Sequence, residues 1–124
     1  MIHDRMIEVV ARRFQVLGEP YRLRILLQLQ RGPKTVGQIV SELDGTQPNV
    51  SKHLQILFDA GLVGREREGN SIFYSIADPM VFKLCELVCR STAQRAARVH
   101  RLASFRGPRS RTRRARVLSV KGGN

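Results

Sequence analysis

The residue types best suited to recognising a ligand are concentrated in one segment, TQPNVSKHLQILFDA at residues 46–60. Its apolar residues recur with the period of a helix buried along one side: Val50, Leu54, Leu57 and Phe58. The opposite side carries mostly short hydrogen-bonding groups and one cation: Pro48, Asn49, Ser51, Lys52 and Gln55. A DNA major groove accepts such a helix, and Asn49 or Gln55 can each make a bidentate contact to adenine. The alternative is an amphipathic surface helix with an ordinary polar face.

The two cysteines form a second candidate site. Cys85 and Cys89 lie four residues apart on a predicted helix, so their side chains project from one face. Their Cβ atoms would stand about 5–6 Å apart, beyond the roughly 3.5–4.5 Å of an unstrained disulfide. Two thiolates at this spacing can close on one soft ion, such as arsenite, mercuric or cadmium ion, and the nearby cations Lys83 and Arg90 would favour the thiolate form. Two other interpretations stay open: packing as small apolar residues, or a response to oxidants or sulfur species.

Local signals at the ends of residues 46–60, and in the residues before them, predict a helix-turn-helix. For the helix in residues 46–60, Thr46 is a plausible N-cap and Pro48 lies in the first turn. Gly61 is suited to the position just past the C-terminal end of that helix. Upstream, residues 35–43 have a short helical pattern, and Asp44-Gly45 supplies a tight turn. The inward residues of this shorter helix are expected to be Val36, Ile39, Val40 and Leu43.

Downstream of the polar segment the period changes from helical to alternating, which predicts a β-hairpin with its turn at Gly69-Asn70. Arg65 and Arg67 are two residues apart on the first strand and therefore share a face. With Asn70 at the tip, they can reach phosphates or an adjacent minor groove. The intervening Glu66 and Glu68 favour instead a hairpin that is merely well solvated.

Three further helices are expected around this unit, at about His3–Leu17, Glu19–Arg31 and Pro79–Ala103, with Asp78 capping the last. The apolar stripe of the first of these helices is Ile7, Val10, Phe14 and Leu17. The second is packed by Leu23, Leu26 and Leu27. The last carries Val81, Leu84, Val88, Thr92, Ala96 and Val99. The predicted fold class is therefore mainly α with a small β-hairpin (α+β): about five helices and a two-stranded wing.

Residues 14–78 resemble the winged-helix domain of the ArsR/SmtB family of bacterial repressors. The matching strings are LGEPYRLRILLQL, TQPNVSKHL, DAGLV and GNSIFYSI, in the family's order and spacing. The resemblance implies a homodimer whose first and last helices form the seam and whose recognition helices enter successive major grooves of a near-palindromic operator. It also implies release from that operator by an effector. By position, it assigns DNA contacts to Gln47, Asn49, Ser51, Lys52 and His53, although His53 is equally well explained as a packed, hydrogen-bonded histidine.

The family's usual metal ligands are mostly missing. Thr35 and Gly37 stand where some relatives have a cysteine pair. Of the ligands on the last helix only Asp78 remains, and its predicted role as a helix cap explains it adequately. Met80, Ser91 and Gln94 occupy the other positions. Any metal response is therefore expected at Cys85 and Cys89.

Charge is concentrated at the C-terminus. Residues 1–89 hold 11 basic and 10 acidic residues, whereas residues 90–124 hold 11 basic and no acidic ones. We expect one domain over residues 1–103 and a basic, disordered tail over residues 104–124 that attracts phosphates without choosing sequence. The alternatives are a tail that only reflects an arginine-rich composition, and a basic protein that binds nucleic acid with little sequence preference.

Two classes of protein find no support in the sequence. No apolar run approaches a membrane span and the N-terminus has no signal-peptide pattern, which predicts a cytoplasmic protein without a membrane partner. An enzyme is not expected either. The sequence shows no glycine-rich phosphate loop, no convincing Cys/His dyad and no pair of carboxylates placed around a cleft.

Overall fold

The computed structural model describes residues 3–106, with side chains through residue 103. In chain order its elements are α1 (Asp4–Leu17), α2 (Pro20–Leu29), α3 (Val36–Leu43), α4 (Gln47–Asp59), β1 (Val63–Glu68), β2 (Ser71–Ile76) and α5 (Met80–Arg106). This order confirms the predicted five helices and two-stranded hairpin. The chain divides after Pro79 into two units, and α5 belongs to the second.

The core of the first unit is formed by aliphatic side chains from its helices and its hairpin. α4 contacts α2, α3 and β1, so three elements support this helix. Burying one such side chain contributes about 1.5–3 kcal/mol. The described hydrophobic residues of this unit with at most 2% exposure are Val16, Ile25, Leu26, Leu29, Ile39, Val50, Leu54, Leu57, Leu62 and Val63.

The prediction for the apolar side of α2 was wrong at Leu27. This residue is 42% exposed, while Ile25, Leu26 and Leu29 are buried. At about 100° per residue, Leu27 falls nearly opposite both Ile25 and Leu29, so it cannot share their buried face.

The hairpin is antiparallel, and its two-residue turn is the predicted Gly69-Asn70. Gly69 has φ of +67°, a conformation that glycine adopts without steric cost. Lys34 and Tyr74 exchange backbone hydrogen bonds of 3.0 and 2.8 Å, which tie β2 to the connection between α2 and α3. The wing is therefore fixed at its base.

Asp78 follows the hairpin, and its carboxylate accepts a hydrogen bond of 2.7 Å from Nη1 of Arg13 on α1. α5 begins at Met80, one residue later than the predicted start at Pro79. The predicted capping role of Asp78 stays a prediction.

The second unit contains α5, which continues to Arg106, beyond the expected end at Ala103. Val81 is buried, whereas several of its large apolar side chains are at least 40% exposed: Met80, Leu87, Val88, Val99 and Leu102. No described helix is both long and apolar enough to cross a membrane. The expected disordered tail lies, apart from its first residues, outside the described range.

Candidate nucleic-acid interface

Both ends of α4 are fixed by local hydrogen bonds. The Thr46 hydroxyl accepts from the backbone N–H of Asn49 at 3.3 Å, which confirms the predicted N-cap. At the other end Gly61 has φ of +76°, and the N–H groups of Gly61 and Leu62 donate to the carbonyls of Phe58 and Leu57. This paired pattern is a Schellman motif, which satisfies the last carbonyls of the helix.

The two sides of α4 differ as predicted. Val50, Leu54 and Leu57 have no exposed surface, although Phe58 is only partly buried. The opposite side places six side chains in solvent: Gln47, Pro48, Asn49, Ser51, Lys52 and Gln55. A firmly packed helix therefore presents amides, a hydroxyl and one ammonium outward.

The turn before α4 brings it close to α2. Asp44 has φ of +59°, in the left-handed region, and ends α3. A Cβ at the next residue, Gly45, would collide with the hydroxyl of Tyr21. A side chain at this position would therefore require Tyr21 to shift.

His53 lies on the side of α4 that faces α2. Its ring centroid is 5.3 Å from that of Tyr21, and its Nδ1 is 3.3 Å from Nη1 of Arg22. Burial is the main cause that lowers its pKa; Arg22 and Lys52 lower it further, and Glu19 opposes them. This environment favours the packed histidine, and a contact of His53 with DNA stays a prediction.

Arg65 of the wing is bound to α4. Its Nη1 donates to Oε1 of Gln55 at 3.2 Å, and its guanidinium carbon lies 3.9 Å from the centroid of the Phe58 ring. Gln55 Nε2 donates in turn to Oδ1 of Asp59 at 2.9 Å. This cluster was not predicted from the sequence. The spacing of Gln55 and Asp59 was a visible signal for their pair, but the approach of Arg65 depends on tertiary structure.

The other two wing residues predicted to meet DNA, Arg67 and Asn70, are exposed. Arg67 pairs with Ile72 across the hairpin and Arg65 with Tyr74, so the two arginines share one face, as predicted. Glu66 and Glu68 fall on the other face, and Asn70 is exposed at the turn. Within the described residues, no side-chain hydrogen bond or ion pair involves Arg67.

The cysteines are free thiols on α5, with Cys85 half-buried and Cys89 exposed. Burial, followed by the neighbouring Cys89, raises the pKa of Cys85. The expected assistance from Lys83 and Arg90 is not found at Cys85, since neither is among the causes of its pKa shift. The Arg90 guanidinium donates instead to the Glu86 carboxylate at 3.1 Å. Over residues 3–106, no group of three or more His, Cys, Asp or Glu side chains is placed to hold a metal ion.

The fold is a winged helix-turn-helix, which is a DNA-binding architecture. It consists of the short helix α3, a tight turn, α4 with its exposed polar side, and the hairpin fixed beside α4. Within that class, the chain belongs to the arsR family of bacterial regulatory proteins, whose pattern matches residues 19–64. The chain is thus a transcriptional regulator and not an enzyme.

Two curated relatives support this membership. A probable mercury resistance operon repressor of Streptomyces lividans is 38% identical over 90 residues, which cover 73% of this chain and 72% of that protein. An uncharacterized HTH-type transcriptional regulator of Methanocaldococcus jannaschii is 42% identical over 82 residues, 65% of this chain and 92% of that protein.

Solved structures agree with the fold. The crystal structure of Rv0081 of Mycobacterium tuberculosis has a TM-score of 0.68 at 30% identity, covering 77% of this chain and 96% of that one. The homodimeric winged helix-turn-helix domain of a possible ArsR-family regulator of Mycobacterium bovis, solved by NMR, has a TM-score of 0.63 at 34% identity, covering 72% and 82%.

Proposed function

We propose that this protein is a sequence-specific, homodimeric repressor that binds a near-palindromic operator through α4. The observation that carries the proposal is the division of α4 into a fully buried aliphatic side and an exposed side of amides and hydroxyls. Such groups distinguish base pairs in the major groove, whereas a face of charged residues alone would follow the phosphates.

The exposed residues take different roles in this proposal. Asn49 is the candidate for a bidentate contact to adenine, and Lys52 for a contact to guanine or phosphate. Gln47 and Ser51 contact the DNA near the N-terminus of α4. Arg67 and Asn70 of the wing meet the backbone or the adjacent minor groove.

The homodimer is supported by apolar side chains that a single chain leaves in solvent. On α1, Ile7 is 51% exposed and Phe14 is 55% exposed, although both belong to the predicted apolar stripe. α5 separately exposes Leu87 at 56% and Leu102 at 60%. Large apolar side chains left in solvent can mark protein interfaces, and the Mycobacterium bovis relative is a homodimer.

Selection of duplexes from a random library tests this function. We expect enrichment of an inverted repeat with half-sites about one helical turn, or a multiple of it, apart. Asn49→Ala combined with Lys52→Ala should retain the fold and the dimer but lose preference for that repeat, because both side chains are exposed. Equal affinity of the wild type for the repeat and for random DNA would contradict the proposal.

For the effector, we propose a soft metal or metalloid ion held by Cys85 and Cys89. The pair fits such an ion in donor chemistry and in spacing, because soft ions prefer thiolates and neighbouring positions on one helical face stand about 5–6 Å apart. Mercuric ion is the first candidate, since it accepts two thiolates without a third ligand and a relative is a probable mercury resistance operon repressor. Arsenite and cadmium are the other candidates.

DNA release by thiophilic ions tests the effector. Mercuric ion should release operator DNA from the wild type but not from Cys85→Ser or Cys89→Ser. Release should require less ion at higher pH, because the raised pKa of Cys85 makes proton loss part of binding. Release from all three proteins alike would leave the cysteines a packing role, and release by peroxide or persulfide alone would favour a redox or sulfur-species response.

A basic nucleic-acid-binding protein with little sequence preference is the alternative function. The observation that favours it is the 11 basic residues and absence of acidic ones in residues 90–124. A salt titration separates the two functions, because a pure charge binder has the same affinity for operator and random duplex at every ionic strength.

A further inference from the structure

The wing and α4 are joined by four side chains that we call the wing brace: Gln55, Phe58 and Asp59 of α4, and Arg65 of β1. Arg65 lies 3.9 Å from the Phe58 ring centroid and donates to Gln55 Oε1 at 3.2 Å, while Gln55 Nε2 donates to Asp59 at 2.9 Å. Both ends of the Gln55 amide are therefore bound to protein partners.

This arrangement conflicts with base recognition by Gln55. A glutamine recognises adenine with both ends of its amide at once, its oxygen accepting from N6 and its nitrogen donating to N7. To do so, Gln55 would have to break both hydrogen bonds of the brace. Asn49 lies on the same exposed side, and within the described residues its side chain has no hydrogen bond to break.

The same arrangement fixes a cation on the wing. A guanidinium has five N–H donors in a rigid plane, and the hydrogen bond to Gln55 engages only Nη1. Stacking on Phe58 and bonding to Gln55 restrict the rotamers of an otherwise flexible side chain. A cation held in this way loses less conformational entropy when it binds a phosphate.

We propose that Gln55 is a positioning residue, not a base-reading residue, and that it holds Arg65 as the fixed phosphate contact of the wing. This inference rests on the proposed function in that the bound partner is duplex DNA. In this inference, Asn49 and its neighbours determine base preference. The wing brace couples the wing to α4.

Arg67 provides the matched control. It lies on the same strand and the same face as Arg65 and carries the same charge, but it is outside the brace. Removing either arginine should weaken binding to every duplex and lower the log–log salt slope by about 1 per protomer. Only the loss of Arg65 should cancel the effect of a change at Gln55.

The test measures duplex affinity for Gln55→Ala, Arg65→Ala, Arg67→Ala, and Gln55→Ala combined with each arginine variant. The duplexes are the operator selected by the wild type, its single-base-pair variants and a random sequence. Gln55→Ala should weaken binding to all of them by roughly tenfold in a dimer, without changing their ranking. That loss of affinity should disappear in the Arg65→Ala background and persist in the Arg67→Ala background. Thermal melting should be unchanged in every variant, because the side chains of Gln55, Arg65 and Arg67 are exposed.

Two results would overturn the inference. One is a change of preference at a particular base pair in Gln55→Ala, which would make Gln55 a base reader. The other is a loss that is additive with Arg65→Ala. Failure of the wild type to select an operator would instead contradict the proposed sequence-specific function, and the coupling would still be measured on the random duplex. Absence of binding to any duplex would overturn both.

Discussion

His53 lies on α4, but its contacts are with Arg22 and Tyr21 of α2. Its Nδ1 lies 3.3 Å from Nη1 of Arg22, and an arginine can only donate, so Nδ1 accepts and the ring proton of the neutral form is on Nε2. Arg22 is itself held by the backbone carbonyl of Val16 at 2.7 Å. Protonation of His53 would remove the acceptor and place two cations side by side.

This geometry predicts a loss of stability in acid. The pKa of His53 in the folded protein lies below its ordinary value of 6.5, mainly because of burial. The contribution of the neutral ring is therefore complete above pH 6.5 and is lost as the pH falls from there through the lower, folded-state pKa. Urea unfolding from about pH 8 to about pH 5 should show this loss in the wild type.

His53→Gln is the control, because glutamine cannot titrate. The difference in unfolding free energy between wild type and variant should shrink or reverse as the pH falls. A difference that is constant with pH would mean that the folded and unfolded states protonate His53 alike.

Among the described glycines, Gly45 in the turn between α3 and α4 has the least room for a side chain. We expect Gly45→Ala to destabilise the fold and to displace the N-terminus of α4, because the added methyl group collides with the Tyr21 hydroxyl. Overpacking of this kind typically costs about 1–3 kcal/mol. Thermal unfolding and operator affinity measure the two effects.

Tyr21→Phe provides the test of that cause, since it removes the colliding oxygen and keeps the ring beside His53. Gly45→Ala should therefore cost less in the Tyr21→Phe background than alone. Equal costs in both backgrounds would place the strain in the backbone of the turn.

The buried face of α2 gives a second prediction at this scale. Leu26 is 1% exposed and Leu27 is 42% exposed, so neighbouring leucines lie in different environments. Leu26→Ala should lower the free energy of unfolding by roughly 2–5 kcal/mol, whereas Leu27→Ala should change it little. Similar losses for both variants would indicate that Leu27 is covered by another surface in solution.

The elements show why the sequence predicts some features and misses others. The caps of α4 and the hairpin turn depend on neighbours in the chain, so Thr46, Gly61 and Gly69-Asn70 were predicted correctly. Leu27 was misplaced because a run of apolar residues on α2 hides its period. The bond between Gln55 and Arg65 could not be predicted, because it depends on the angle at which the hairpin meets α4.

At the scale of the whole molecule, the excess positive charge and the helix that we propose to recognise bases lie in different parts of the chain. Residues 1–89 are nearly neutral, with 11 basic and 10 acidic residues, and they include α4. The excess positive charge follows from residue 90 onward. Positive charge attracts the phosphates of any nucleic acid whatever its sequence, so we expect this excess to set affinity and salt dependence and to leave base preference unchanged.

Deleting residues 107–124 tests this separation, since the segment contains six basic residues and no acidic one. The log–log salt slope should fall by about 0.9 for each phosphate that the tail no longer neutralises, and affinity for operator and random duplex should fall by the same factor. A chain with the six basic residues replaced by glutamine should behave like the deletion, because only charge is removed. If the deletion instead abolishes operator preference while the glutamine chain keeps it, the tail contributes to specificity through something other than its charge.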